Sequence, residues 1–126
     1  MFVGENNMIK NKSSSEHLEQ IGFVDWFRRK FPNILIFAIP NGGVRDIGTA
    51  IKLKDEGVVR GIPDLMIPAF KIFIEFKRKK GGVVSKDQEH IIEYLQRHGY
   101  TVYICYGAED ASRRVLDFWK EINEKK

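Results

Sequence analysis

The chain carries two carboxylates and a lysine at spacings that strand geometry can turn into one group. Gly61-Ile62-Pro63-Asp64-Leu65 is followed by Ile74-Glu75-Phe76-Lys77. Side chains alternate across a strand, so Glu75 and Lys77 project from one face while Ile74 and Phe76 project from the other. If Asp64 opens the neighbouring strand of a hairpin, its carboxylate meets Glu75, and two such groups repel unless a cation sits between them. Mg²⁺ fits that requirement, with Mn²⁺ as a substitute. Hard ions of this kind are held by one or two carboxylates with main-chain oxygens, waters and a substrate phosphate, an open arrangement suited to catalysis. The bland alternative is a solvated strand face beside a Pro-Asp turn. Ile72, Ile74 and Phe76 argue against it, because in a central-looking strand charges need a reason to be there.

The elements that must position this group follow from periodicity and punctuation. Leu18, Ile21, Val24 and Phe27 recur at helical spacing, with Ser13 and Glu16 as a capping box and Pro32 as the stop. The apolar run from Ile34 to Ile39 has strand length and ends at Pro40-Asn41-Gly42-Gly43. A helix is expected over Ile47 to Glu56, with Ile47, Ala50, Ile51 and Leu53 as its apolar face and Gly57 past its end. Asp64 to Ile67 and Lys71 to Lys77 read as an antiparallel hairpin joined by Pro68-Ala69-Phe70. A helix from Ser85 to about His98 turns Ile91, Ile92 and Leu95 to the core and closes at Gly99. A strand over Tyr100 to Tyr106 and a helix from about Ala108 to Ile122 complete the order. This is an α/β domain with a mixed central sheet flanked by helices.

Composition bounds the reading. A chain of 126 residues with 43% hydrophobic and 12% aromatic content suits one domain with one core. Residues 14–126 are assigned to that domain; residues 1–13 read as a flexible tail or as an upstream start before Met8. The net charge of +4 and pI of about 9.2 favour polyanionic partners without proving them. Cys105 is alone and lies in an apolar run, so it reads as core filler in a reducing compartment. No apolar run approaches the roughly 18 residues of a spanning helix, and residues 1–15 lack the apolar middle of a signal peptide. A soluble cytoplasmic protein with no membrane association is expected. His17, His90 and His98 lack ligand spacing with one another, which speaks against zinc. Trp26 and Trp119 sit at core-compatible spacings.

The ordered set Gly61-Ile62-Pro63-Asp64, Glu75-Phe76-Lys77 and Ser85 with Gln88 resembles the virus-type replication-repair nuclease (VRR-NUC) domain of the PD-(D/E)XK superfamily. The likeness extends to Glu16-His17-Leu18-Glu19-Gln20, Trp26, Ala38-Ile39-Pro40-Asn41-Gly42-Gly43, Gly99-Tyr100 and Cys105-Tyr106-Gly107. It implies a restriction-endonuclease-like core in the order helix, three strands, helix, strand, and a stand-alone member of the type common in phages and prophages. By that resemblance Asp64, Glu75 and the Phe76 carbonyl hold the divalent ion, and Lys77 orients or deprotonates the attacking water. Glu19 resembles the acidic residue that many members aim at the metal, directly or through water, although Glu16 and Glu19 also suit a helix dipole. Gln88 stands where the family has an active-site Gln, although Ser85-Lys86-Asp87-Gln88 is equally a capping box.

The implied reaction is hydrolysis of a DNA phosphodiester with no small-molecule cofactor. Arg78, Lys79 and Lys80 before Gly81-Gly82 follow the catalytic strand, where a phosphate backbone would pass. Asn41 and Arg45 in a glycine-rich loop form a second candidate contact, with Arg60 less certain. Stand-alone relatives resemble junction-cleaving enzymes, and a branched substrate such as a Holliday junction or flap suits a homodimer. Two other readings are weighed: a DNA-binding module that kept the fold without cutting, and a sequence-specific restriction-type nuclease. The intact Asp64, Glu75 and Lys77 argue against the first. Little chain remains for the base-reading segments that the second needs.

Overall fold

A computed structural model describes residues 14–40 and 47–125. Helix α1 (Ser14–Lys30) leads into strand β1 (Phe37–Ala38), helix α2 (Ile47–Asp55), and the pair β2 (Leu65–Ile67) and β3 (Ile72–Phe76). Helix α3 (Lys86–Arg97), strand β4 (Thr101–Cys105) and helix α4 (Ala108–Glu124) follow. The four strands lie in the order β1-β2-β3-β4. The first two pairings are antiparallel and β3 pairs with β4 in parallel. The expected mixed α/β sheet with flanking helices is therefore the observed one.

The alternation in β3 sorts the two faces of the sheet. Ile72, Ile74 and Phe76 join one buried cluster with Phe23, Phe27 and Phe31 of the α1 segment, Cys105 of β4, and Ala111 and Val115 of α4. Phe23 and Phe27 are one helical turn apart and stack in tilted contact with ring centroids 6.0 Å apart, so α1 presents a single aromatic ridge to the sheet. Trp119 closes that layer against Phe31 at 5.4 Å and Phe70 at 5.7 Å, and Trp26 lies against Phe23 and Phe31. Both tryptophans pack, as their spacing implied. The opposite face carries Phe73, Glu75 and Lys77, and the first turn of α3 lies over it.

Local chemistry bounds α3 at both ends. The Ser85 hydroxyl accepts from the Gln88 amide while the Gln88 side chain accepts from the Ser85 amide, a full capping box. At the other end Gly99 takes φ 91°. Its N–H donates to the Gln96 carbonyl and that of Tyr100 to the Leu95 carbonyl, the paired bonds of a Schellman termination.

Two expectations need correction. The Ile34 to Ile39 run forms only the two-residue β1, because Ile34 still turns back to the Phe31 carbonyl and β2 offers just three residues to pair with. Ile36 is buried while Leu35 is 64% exposed, so the run is a half-buried edge and not a continuous core strand. Helix α2 forms as expected, but none of its side chains is buried, with Ile47 79% and Ile51 55% exposed. Among the described residues the sheet faces are covered by α1, α4 and α3, and none of them offers that apolar stripe a core to enter. The capping residue expected at Ser13 lies outside the described residues.

Candidate active site

Strand register brings the two carboxylates together. Leu65 pairs with Ile74 in the antiparallel β2–β3 ladder, so the next step outward sets Asp64 opposite Glu75. The main chain of Asp64 is held from its other side, since its carbonyl accepts from the Ile39 amide at 2.8 Å. Its side chain turns back to β3, where Oδ2 accepts from the Phe76 amide at 2.8 Å. Lys77 extends β3 by one residue, and its amide donates to the Cys105 carbonyl of β4 at 2.9 Å. All three candidates are thus carried on hydrogen-bonded backbone and not on a free loop.

Gln88 ties the group together from above. Its Oε1 accepts from Lys77 Nζ at 2.8 Å and from the Ser85 amide at 2.9 Å, while its Nε2 donates to Glu75 Oε2 at 2.8 Å. One amide therefore completes the helix cap and also orients both charged side chains of the strand. Capping and contact with the site are not alternatives here, because the same oxygen serves both. Lys77 Nζ lies 3.5 Å from Glu75 Oε2, and both side chains are largely covered, at 13% and 9% exposure.

The group sits at the carboxyl ends of β3 and β4, where one strand leads to α3 on one face and the other to α4 on the opposite face. Such a point of divergence is where α/β sheets open a crevice for ligands. Glu19 reaches the same end from α1, and there its Oε1 accepts from the Ala108 amide at 2.6 Å, capping α4 in place of the Gly107 side chain that is absent. Arg78 Nε lies 3.8 Å from Glu16 Oε2 and Arg60 Nε lies 3.7 Å from Asp87 Oδ2, so both cations border the site, with Lys79 and Lys80 exposed beside them. Asn41 and Arg45 lie outside the described residues.

The donor set fits a hard divalent cation. Asp64 and Glu75 bring two negative charges to adjacent strands, and Lys77 offsets one of them, which leaves net negative charge at a mostly covered place. Among the described residues no three His, Cys, Asp or Glu side chains converge as a metal cage. An ion held by the two carboxylates would take its other ligands from main-chain oxygen and water, as magnesium usually does.

A family model of the VRR-NUC domain matches residues 15–109. The chain belongs to the VRR-NUC family. A solved structure of a VRR_NUC domain protein shares the fold with a TM-score of 0.69 at 24% identity, over 86% of this chain and 91% of that one. No curated protein matches the chain. As a VRR-NUC domain it is a member of a nuclease family, and the matched span takes in every candidate from Glu19 through Gln88. Among the described residues no helix of this VRR-NUC domain is long and apolar enough to cross a membrane.

Two contributors to the candidate site of this VRR-NUC domain escaped the reading by spacing. The Cys105 carbonyl, which anchors the Lys77 amide, is invisible in sequence because any residue supplies a carbonyl. Gly82 packs so closely that a Cβ there would lie 2.6 Å from the Arg78 carbonyl oxygen and 2.9 Å from Lys77 Cβ. Its signal was present in the Gly81-Gly82 pair, which composition alone assigns to a loose linker.

Proposed function

We propose that this VRR-NUC domain is a divalent-metal-dependent endonuclease that hydrolyses DNA phosphodiester bonds, selecting branched structures such as Holliday junctions or flaps. The reading rests on one observation above others: Asp64 and Glu75 oppose each other in register, with Lys77 bound to Glu75 through Gln88. Asp64, Glu75 and the Phe76 carbonyl would hold Mg²⁺, or Mn²⁺ in its place, and the ion would supply charge neutralisation at the phosphate and an acidified water.

The remaining chemistry belongs to the chain. Lys77 orients the attacking water as an ammonium, or as the neutral amine takes its proton and becomes one, and the resulting positive charge stabilises the phosphate as negative charge grows on its oxygens. Gln88 keeps the Lys77 ammonium and the Glu75 carboxylate in a fixed relation, so that neither swings away when substrate binds. Glu19 would add an outer contact to the ion, directly or through water. Arg78, Lys79, Lys80 and Arg60, together with Asn41 and Arg45, contact backbone phosphates, a mode that gives affinity without sequence choice. A homodimer would present two such sites to the two strands of a junction. Phage replication, recombination or repair in a bacterial cytoplasm is the setting that supplies such DNA.

The test incubates purified protein with labelled linear duplex, flap and four-way-junction DNA, each with Mg²⁺, Mn²⁺ or EDTA. Cleavage that needs the metal, favours a branched substrate and disappears in Asp64→Ala supports the proposal. No cleavage of any substrate, or equal cleavage by Asp64→Ala, sinks it; binding without cutting would leave a DNA-binding module.

A further inference from the structure

Gly61 makes an approach to α3 that no other residue type could make. Its φ is +92°, and a Cβ at this position would lie 2.8 Å from the Asp87 carbonyl oxygen, 2.9 Å from the Asp87 carbonyl carbon and 3.1 Å from the Gln88 amide nitrogen. All three neighbours are main-chain atoms in the first turn of α3, so a flexible side chain cannot move aside to make room. That turn is itself fixed by the Ser85 and Gln88 cap. Three residues after Gly61 comes Asp64, which reaches the catalytic strand through the Phe76 amide. Between them, Pro63 is buried and limits the backbone of the connecting segment.

We infer that Gly61 is a positioning residue, the seat on which the loop bearing Asp64 rests directly against the helix turn bearing Gln88. Asp64 and Gln88 come from different elements, and the strand ladder sets Asp64 against Glu75 within the sheet but not against the helix turn that lies over it. The Gly61 contact sets the distance between the loop and the helix turn lying over the strands. A methyl group here displaces one backbone from the other by the better part of an ångström, since ordinary contact begins near 3.4 Å. Misplacement of about 1 Å at reacting groups can cost on the order of 100-fold in rate. This inference rests on the nuclease reading for its activity test, but the contact itself is testable without it.

The chain contains its own control. Gly99 has φ +91°, and a Cβ there would meet nothing within 4 Å, so Gly99→Ala places a side chain at nearly the same positive φ as Gly61→Ala without the collision. Three measurements decide the matter. The melting temperature of Gly99→Ala gives the cost of a side chain at positive φ, and any further lowering in Gly61→Ala gives the cost of the collision. Steady-state cleavage of the best branched substrate with Mg²⁺ is expected to show kcat about 10- to 100-fold lower in Gly61→Ala than in Gly99→Ala, with KM unchanged. In a Gln88→Ala background the further loss from Gly61→Ala should shrink to about twofold, because the group that it positions is gone. Equal kcat in the two glycine variants, or full additivity with Gln88→Ala, overturns the inference. If Gly61→Ala does not fold, or if wild type proves not to be a nuclease, NMR of the wild-type protein decides: nuclear Overhauser contacts from the Gly61 α-protons to the Gln88 amide proton are expected, and their absence overturns the seat.

Discussion

Replacing Gln88 separates the two duties that its side chain performs at once. Gln88→Ala removes the bonds to Lys77 Nζ, Glu75 Oε2 and the Ser85 amide together. Loss of the capping half costs about 1 kcal/mol. A hydrogen bond to a charged group is worth about 1.5–3 kcal/mol, but both contacts are only part-buried and water can enter the vacated space. We therefore take about 1 kcal/mol for the two charged contacts together. The sum of about 2 kcal/mol corresponds to a melting temperature lower by about 8 °C for a domain of this size. Activity should fall far more, by about 100-fold in kcat, because Lys77 and Glu75 lose the amide that fixes their relation. Ser85→Ala isolates the cap: it removes only the 3.2 Å bond from the Gln88 amide to the Ser85 hydroxyl. It should cost about 1 kcal/mol while leaving kcat within about threefold. Gln88→Glu keeps an acceptor for Lys77 and the cap but sets a carboxylate against Glu75. It should melt below wild type, by the repulsion from Glu75, and cleave poorly. Circular dichroism melts and single-turnover cleavage of a junction substrate give both quantities. If Gln88→Ala cleaves at the wild-type rate once folded, or if Ser85→Ala loses as much activity as Gln88→Ala, then Gln88 is a cap alone and has no second duty at the site.

Other predictions test the ion, the thiol and a helix terminus. Mg²⁺ at millimolar concentration should raise the melting temperature of wild type but not of Asp64→Ala, as expected for a ligand that binds only the folded state; equal shifts in both would refute the assigned donors. Cys105 is fully buried, and burial pushes its thiol up to about 12, so the folded protein should resist iodoacetamide at pH 8 and react only in denaturant, which mass spectrometry reads directly. Burial alone would raise the carboxyl of Asp110, yet the Tyr106 amide together with Arg114 and Arg113 holds it below the usual range. A depressed carboxylate stabilises the fold above its unfolded value of about 3.9 and loses that contribution as pH falls through the folded value. Asp110→Asn should thus melt lower than wild type at pH 7, with the gap closing as pH falls through the depressed folded value; a gap that persists once the carboxyl is protonated in both states would contradict the assignment.

Much of this molecule was legible because it is locally encoded. The Ser85 cap, the Gly99 termination of α3 and the alternation of β3 each depend on neighbours within a few residues, so residue type and spacing suffice to read them. The same holds for the partition of Glu75 and Lys77 from Ile74 and Phe76. What tertiary structure decided was whatever depends on the number and identity of neighbours across space. The Ile34 to Ile39 run looks like a core strand, but the shortness of β2 left it two paired residues at an edge. The apolar stripe of α2 satisfies helical spacing, yet only the tertiary structure shows that none of its side chains is buried. Glu19 has an acid's chemistry in any reading, and only the meeting of α1 with α4 puts its Oε1 on the Ala108 amide.

At the candidate site the same division holds. Asp64, Glu75 and Lys77 were identifiable by type, by strand parity and by resemblance, and their family follows from the match over residues 15–109. Sequence alone could not say that register sets Asp64 opposite Glu75, or that one Gln88 oxygen serves both a helix start and a lysine. Nor could it say that Gly61 lies against the turn that carries Gln88. Residue types specify which bonds are possible, and close packing specifies which of them share a place, because backbones at contact distance leave each side chain few directions to take.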